Sequence, residues 1–443
     1  MSEKATSTAL FTDRYELTMV EAALATDRAA CPAVFEVFTR RLPDRRPWGV
    51  FAGLGRLLDA LGEFRFGPSE LDWLARQAVV GATTLEWLEG YRFSGDVHAY
   101  REGELYTAGS PVLTVEGTFA EAVLLETLVL STLNFDSAVA TAASLTTWAA
   151  GERPVIEMGS RRVSPEAAVA AARAAYLGGF ASTSNLEAGR RYGIPTAGTA
   201  SHAFVLAFGA DGEKEAFAAQ VNALGPGTTL LVDTYDIAEG IRHAVEVAGP
   251  ALGAVRIDSG DLGREAAQAR QLLDQLGARG ARLIVTGDLD AHSIAALGAA
   301  PVDAYGVGAS VVTGLGAPSA GFVYKLVAIG GPGAPAGAPL VPVAKRSAGK
   351  GSVGGRKWAW RARLDDAPHR SEAGAPAIAG GCWADIVSTS PQVPEGPGAR
   401  ALQSTVMKGG QGIPQPDLEE ARSFHAEVRA AVGLTSLLLD RRS

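Results

Sequence analysis

Cysteine is almost missing from this chain: the 443 residues hold two, Cys31 and Cys382. That excludes a disulfide framework and a four-cysteine zinc site, and it points to a reducing compartment. Positive charge is not in excess either, since 40 Lys+Arg stand against 48 Asp+Glu for a net charge of -8. A general electrostatic drive towards nucleic acid or an anionic membrane is therefore absent. No segment reads as the run of about 18 apolar residues that a membrane helix needs. The start, MSEKATSTALFTDRYELT, lacks the basic region and apolar core of a secretory signal, so a cytoplasmic protein is expected. There is no GxxxxGK[ST] loop, no GxSxG elbow and no internal repeat, and the six histidines show no metal-ligand spacing.

Apolar residues make up 47 % of the chain and charged residues 20 %, the balance of a folded protein with two or three domains at about 150 residues each. Over 119–150 the apolar positions Leu124, Leu125, Leu128 and Val129, then Ala138, Ala142 and Leu145, recur at helical spacing, and the polar Asn134 and Asp136 predict two helices meeting there. Beyond Gly151 short apolar runs at 154–158, 228–232, 254–257, 282–285 and 303–307, with a weaker one at 194–196, alternate with helical stretches. Ser164-Pro165-Glu166 predicts a helix start and Gly178-Gly179 its stop, while Asp261 begins another helix that ends at Gly277. Strands that are apolar throughout and separated by helices call for a parallel sheet covered on both faces, and about six such units fit an α/β barrel. The loops after parallel strands converge on one face, where chemistry collects. Residues before about 118 instead mix strand-like runs at 34–38 and 95–100 with Pro/Gly turns, segments 330–342 and 394–398 read as breaks, and 418–432 as a final amphipathic helix.

Polar residues gather at the predicted strand ends. Arg161 and Arg162, beside Gly159 in EMGSRR, can hold a phosphate or carboxylate by planar pairing; the competing reading is a solvated loop of surface ion pairs. In RIDSGD (256–261) the Ser259 and Gly260 amides suit an anion, and the carboxylates of Asp258 and Asp261 suit Mg²⁺; the competing reading is a helix cap. Gly287, in Thr286-Gly287-Asp288, and Gly308-Ala309-Ser310 add two further small-residue turns where backbone amides can approach phosphate oxygens. Three such turns together describe a polyphosphate site. His202, in GTASH, is the one histidine of six in a short polar motif after a predicted strand, and taken alone it reads as a structural hydrogen bonder. Lys345, Arg346, Lys350, Arg356 and Lys357 form a basic, glycine-rich run that reads as a phosphate flap or a solvated loop.

These motifs, in order, resemble the nicotinate phosphoribosyltransferase family: TDRYELTM at 12–19, Phe35-Glu36, LNFDS at 133–137, EMGSRR, TSN at 183–185, GTASH, VDTYD at 232–236, RIDSGD, YGVGASVVT at 305–313 and YKLV from Tyr324. The likeness covers residues 10–365. It implies a type II phosphoribosyltransferase fold, an irregular α/β barrel joined to an open α/β sandwich, and a homodimer. The division expected is a sandwich over 1–130 completed by about 340–380, a barrel over 131–330 and a largely helical extension over 381–443. The implied reaction joins nicotinate and phosphoribosyl pyrophosphate into nicotinate mononucleotide and pyrophosphate for NAD salvage, with Mg²⁺ as cofactor and ATP as co-substrate.

By the same resemblance His202 is the residue that ATP phosphorylates, Tyr15 stacks on the pyridine ring, Arg256 pairs with the nicotinate carboxylate and Thr199 adds a polar contact. Arg161 and Arg162 lie beside them, and Ser259, Gly260, Gly287, Gly308, Ala309 and Ser310 cradle phosphates. Two positions depart from the family: Asp136 replaces a usual glutamine and Ala309 a frequent threonine. The alternatives are a nicotinamide phosphoribosyltransferase, which an arginine aimed at a carboxylate opposes, and a non-catalytic barrel homologue.

Overall fold

A computed structural model describes residues 7–43, 46, 48–335, 337–346, 351–363, 383–392 and 398–432. The chain divides into two compact units, one of residues 1–138 with 319–443 and the other of 139–318. The second unit holds a six-stranded, wholly parallel sheet. In sheet order its strands are Ser182–Thr183, Val155–Glu157, Ala304–Val307, Arg282–Val285, Ala254–Ile257 and Thr229–Leu231. Every strand residue is buried or half-buried except Arg282, as a sheet covered by helices requires. Among the described residues the two edge strands do not pair, so the barrel is half closed. The weak candidate at 194–196 contributes only a single parallel bridge, Thr196 to Thr183.

Two helices in this unit carry caps that explain their position. Asp261 Oδ1 accepts from the Arg264 amide and starts Leu262–Gln275, and Asp236 Oδ1 accepts from the Glu239 amide and starts Ile237–Ala248. The helix Pro165–Leu177 opens on Ser164 and closes at Gly178.

The first unit is antiparallel where the second is parallel. Its main sheet has seven strands in the order Val341–Pro342, Phe322–Ile329, Pro32–Thr39, Leu113–Thr118, Asp96–Tyr100, Gln403–Lys408 and Gln411–Gly412. Phe35 and Tyr324 stack at 4.9 Å between centroids on neighbouring strands of this sheet, and the Tyr324 hydroxyl donates to Ala122 O at 2.8 Å. A second sheet orders Trp383–Ser388, Trp358–Arg363 and Arg400–Ala401.

Three expectations change here. Instead of two helices meeting near Asn134, Glu126–Ala150 is one helix of 25 residues. Asn134 does not interrupt it, because its side chain turns outward, donating to Phe322 O and accepting from the Phe322 amide. Phe119–Ala150 is also long and apolar enough to cross a membrane, but 67 % of its most apolar stretch is buried inside the protein, as in a core helix. The described part of 381–443 is not largely helical: Trp383–Ser388 and Gln403–Lys408 join sheets, alternating side chains between two faces, and only Leu418–Val432 is a helix. Segment 393–397 of the second predicted break lies outside the described residues.

Candidate active site

The residues that follow the parallel strands build adjoining clefts at one end of the sheet in the second unit. Arg256 projects from Ala254–Ile257 with its side chain 12 % exposed. Its Nε donates to Thr286 Oγ1 at 2.8 Å, Nη1 to Thr199 Oγ1 at 2.8 Å and Nη2 to Asp258 Oδ1 at 3.0 Å. A guanidinium carries five N–H groups in a fixed fork, so one hydrogen on each terminal nitrogen is left over for a planar, two-oxygen acceptor. Thr286 also donates to Asp258 Oδ1 through a short bond. Burial pushes the Asp258 carboxyl up, but hydrogen bonds from Thr286 and Arg256 and the Arg256 charge outweigh it, so its pKa falls below the usual range.

A cleft of about 390 Å³ opens over this group, lined by Arg161, Thr199, His202, Arg256 and Asp258 among others. A narrower one of about 200 Å³ shares Arg161, Arg256 and Asp258 with it and adds Arg162, Gly287, Gly308 and Ala309. Arg161 and Arg162 are exposed, and their guanidinium groups have no partner among the described residues. Gly287 has φ 98°, and a Cβ there would stand 2.2 Å from Asp258 O, so no side chain fits that turn. Beneath the floor, Glu157 is 1 % exposed and accepts from Thr183 Oγ1 at 2.5 Å and from the Gly159 amide. Burial raises its pKa against those two bonds.

His202 begins the helix His202–Leu206, and its Nε2 lies 3.1 Å from Asp233 Oδ1. The ring is 40 % exposed and the carboxylate 1 %. Asp233 Oδ2 accepts from the Asp258 amide at 2.8 Å and from Ser259 Oγ at 2.7 Å, so the acid is fastened on both oxygens. Sequence reading passed over Asp233 inside VDTYD; the available signal was its place directly after an apolar strand, the same position from which Asp258 acts. Thr286 was missed in the same way.

Other expected residues are arranged differently. Ser259 and Gly260 line a neighbouring cleft of about 330 Å³ with Asp233, Tyr235 and Glu265. Ser310 donates its hydroxyl to Leu289 O at 2.5 Å, which leaves its backbone amide for a ligand. Asp261 is exposed and caps its helix. Tyr15 belongs to the first unit, on the helix Arg14–Leu24, 46 % exposed. Burial, then the charges of Glu126 and Glu16, push its hydroxyl up to about 12. Also in the first unit, Asp136 is buried and paired with Arg56 Nη1 at 2.6 Å, which supplies a counter-charge for the carboxylate. The basic run divides there: Lys357 is buried against Glu36 at 2.7 Å and Arg356 meets Glu116 at 2.8 Å, whereas Lys345 and Arg346 are exposed, and Lys350 lies outside the described residues.

Comparison with known proteins bears on this geometry. Residues 10–134 match the family model described as nicotinate phosphoribosyltransferase (NAPRTase) N-terminal domain. The chain is 57 % identical over 358 residues to nicotinate phosphoribosyltransferase pncB1 of Mycobacterium tuberculosis, covering 80 % of this chain and 78 % of that protein. The crystal structure of human nicotinic acid phosphoribosyltransferase aligns with a TM-score of 0.77 at 26 % identity, over 96 % of this chain and 94 % of that one. Nicotinate-nucleotide pyrophosphorylase from Pyrococcus furiosus, at 24 % identity and TM-score 0.76 over 98 % of each chain, shares the fold. The extent of the M. tuberculosis match, across both units, makes this chain a member of the nicotinate phosphoribosyltransferase family.

Proposed function

We propose that the chain transfers phosphoribose from phosphoribosyl pyrophosphate to nicotinate and couples this to ATP through His202. The observation that carries the reading is Arg256, held at one mouth with two N–H groups to offer, beside Arg161 and Arg162, which have no counter-charge among the described residues. The nicotinate carboxylate takes those two N–H groups, which fixes the ring. The ring nitrogen then attacks C1′ while the C1′–O bond to pyrophosphate breaks and its electron pair leaves with the pyrophosphate oxygen. Negative charge builds on that leaving group, where the two arginines and the amides of Gly287, Gly308 and Ala309 act as fixed donors; Ser259, Gly260 and Ser310 extend the set. Asp258 and Asp261 offer the hard oxygens that suit Mg²⁺, which when bound screens pyrophosphate charge. Among the described residues no group of three His, Cys, Asp or Glu could hold a metal ion, so Mg²⁺ held by these two carboxylates would need further oxygens from the substrate.

For the ATP step, a proton on His202 Nε2 shared with Asp233 leaves the lone pair on Nδ1. Nδ1 attacks the γ-phosphorus, ADP departs, and later hydrolysis of the phosphohistidine returns phosphate. A homodimer is part of this reading: Leu10 and Phe11 in the first unit, and Phe204, Leu206 and Phe208 beside His202, are exposed apolar side chains that a second copy would cover. A cytoplasmic setting agrees with Cys31 being a free, buried thiol.

The test incubates purified chain with nicotinate, phosphoribosyl pyrophosphate and Mg²⁺, with and without ATP. Expected are nicotinate mononucleotide, little turnover of nicotinamide, and an acid-labile phosphate on His202 by mass spectrometry. No mononucleotide, or equal use of nicotinamide, overturns the reading. Nicotinate turnover with no phosphate on His202 overturns its ATP-coupled part alone. His202→Ala is expected to abolish ATP hydrolysis linked to transfer and keep a slower, ATP-independent transfer.

A further inference from the structure

Thr286 is 2 % exposed and lies just past the strand Arg282–Val285, next in the sheet to the strand that carries Arg256. Its hydroxyl closes a triangle, accepting from Arg256 Nε and donating to Asp258 Oδ1. Its methyl is fixed too: a Cβ built on Gly306 would stand 2.5 Å from Thr286 Cγ2, so that methyl lies against bare backbone. A β-branched side chain so packed has one χ1 open to it. Nε is the anchor nearest the stem of the arginine, whereas Thr199 and Asp258 hold the two terminal nitrogens. Without that anchor the guanidinium plane can swing, and the two spare N–H groups no longer meet a carboxylate together.

We infer that Thr286 is a positioning residue that sets selectivity for a planar carboxylate on the aromatic substrate by fixing the plane of Arg256. This rests on the reading of Arg256 as the receiver of the nicotinate carboxylate.

Steady-state kinetics of the full chain test it with Thr286→Val, Thr286→Ser, Arg256→Ala and the Thr286→Val/Arg256→Ala double variant. Thr286→Val is isosteric and is expected to raise KM for nicotinate about tenfold, the scale of one lost hydrogen bond to a charged group. A single cooperative unfolding transition reports that the variant is folded, and KM for phosphoribosyl pyrophosphate should rise less than that for nicotinate. Preference for nicotinate over nicotinamide should fall in parallel, and Thr286→Ser, which keeps the hydroxyl, should recover most of both. In the Arg256→Ala background Thr286→Val should add nothing further. An unchanged nicotinate KM in Thr286→Val, no recovery in Thr286→Ser, or an equal effect with and without Arg256 overturns the positioning role. An unchanged nicotinate KM in Arg256→Ala instead overturns the underlying reading of that arginine.

Discussion

The two units treat charge in opposite ways. In the first, Arg361 is 2 % exposed and every arm is answered: Nε by Asp385 at 2.8 Å, Nη1 by Glu104 and Nη2 by Leu105 O at 2.7 Å. Lys357 is sealed against Glu36 in the same fashion. In the second unit Arg256 keeps two N–H groups, and Arg161 and Arg162 keep all of theirs. A burial cost is met only when each buried charge has its complement, so a closed set of partners marks scaffold and an open set at a cleft marks a place for an anionic ligand. The basic run at 345–357 shows why composition alone misleads: Lys357 looks like phosphate chemistry in sequence and is a sealed ion pair in the fold.

The largest effect that tests this contrast is expected at Arg361. Arg361→Met leaves Asp385 buried without this cation and Glu104 with only the exposed Arg400 at 2.7 Å, and loss of one partner from such a group costs about 3–5 kcal/mol. Chemical denaturation should register that loss, while the nicotinate KM of the folded fraction stays unchanged. A stability near that of the parent chain would show the buried network to be no more structural than the arginines at the cleft.

Two histidines sharpen the comparison through pH. His202 is 40 % exposed and faces a carboxylate, whereas His425 is 2 % exposed with Nδ1 2.8 Å from Gly103 O. Burial holds the His425 pKa down to about 4 from 6.5, against the pull of the Gly103 carbonyl and with the charge of Arg429. Between those values the unfolded chain takes up a proton that the folded chain refuses. Stability therefore falls as pH drops from 6.5 to 4, by up to about 3 kcal/mol over the window. His425→Leu removes the titration, so its unfolding free energy should decline less than the parent's between about pH 7 and pH 5 in urea. Parallel declines would place the acid sensitivity elsewhere.

Sequence made the parallel sheet legible because its strands are short, apolar and bounded by helix caps; Ala254–Ile257 and Arg282–Val285 fall where periodicity puts them. The polar motifs GTASH and RIDSGD were also visible, with Arg256 inside the strand Ala254–Ile257 and Asp258 just past it, whereas the roles offered for Arg256 and Thr199 came only from the family resemblance. The long helix was hidden by Asn134, whose polarity answers a strand distant in sequence rather than a break in the helix. Asp233 and Thr286 were hidden for a related reason. Their roles consist of bonds to His202, Ser259, Arg256 and Asp258, partners 25 to 31 residues away, and no local pattern encodes those. The strand Gln403–Lys408 likewise depends on a partner far earlier in the chain, Asp96–Tyr100, while Trp383–Ser388 pairs with Trp358–Arg363.

The smallest effect is the most discriminating, because it separates binding from folding at one pair of residues. Arg161 and Arg162 are exposed and unpartnered among the described residues, so their removal takes away no internal contact of either guanidinium. Arg161→Ala and Arg162→Ala should each leave the melting temperature within about 1 °C, as surface changes away from special contacts do. Each should still lower kcat/KM for phosphoribosyl pyrophosphate about fivefold, near 1 kcal/mol for a partly screened charge. The loss should shrink as salt rises, since mobile ions then do part of the same screening. Its division between KM and kcat carries further information: a change in KM alone means the arginine holds bound substrate and transition state equally, whereas a fall in kcat means that it acts on charge developing as pyrophosphate leaves. A drop in melting temperature comparable to that of Arg361→Met, with kinetics unaltered, would reverse the assignment of scaffold and ligand-binding charges between the two units.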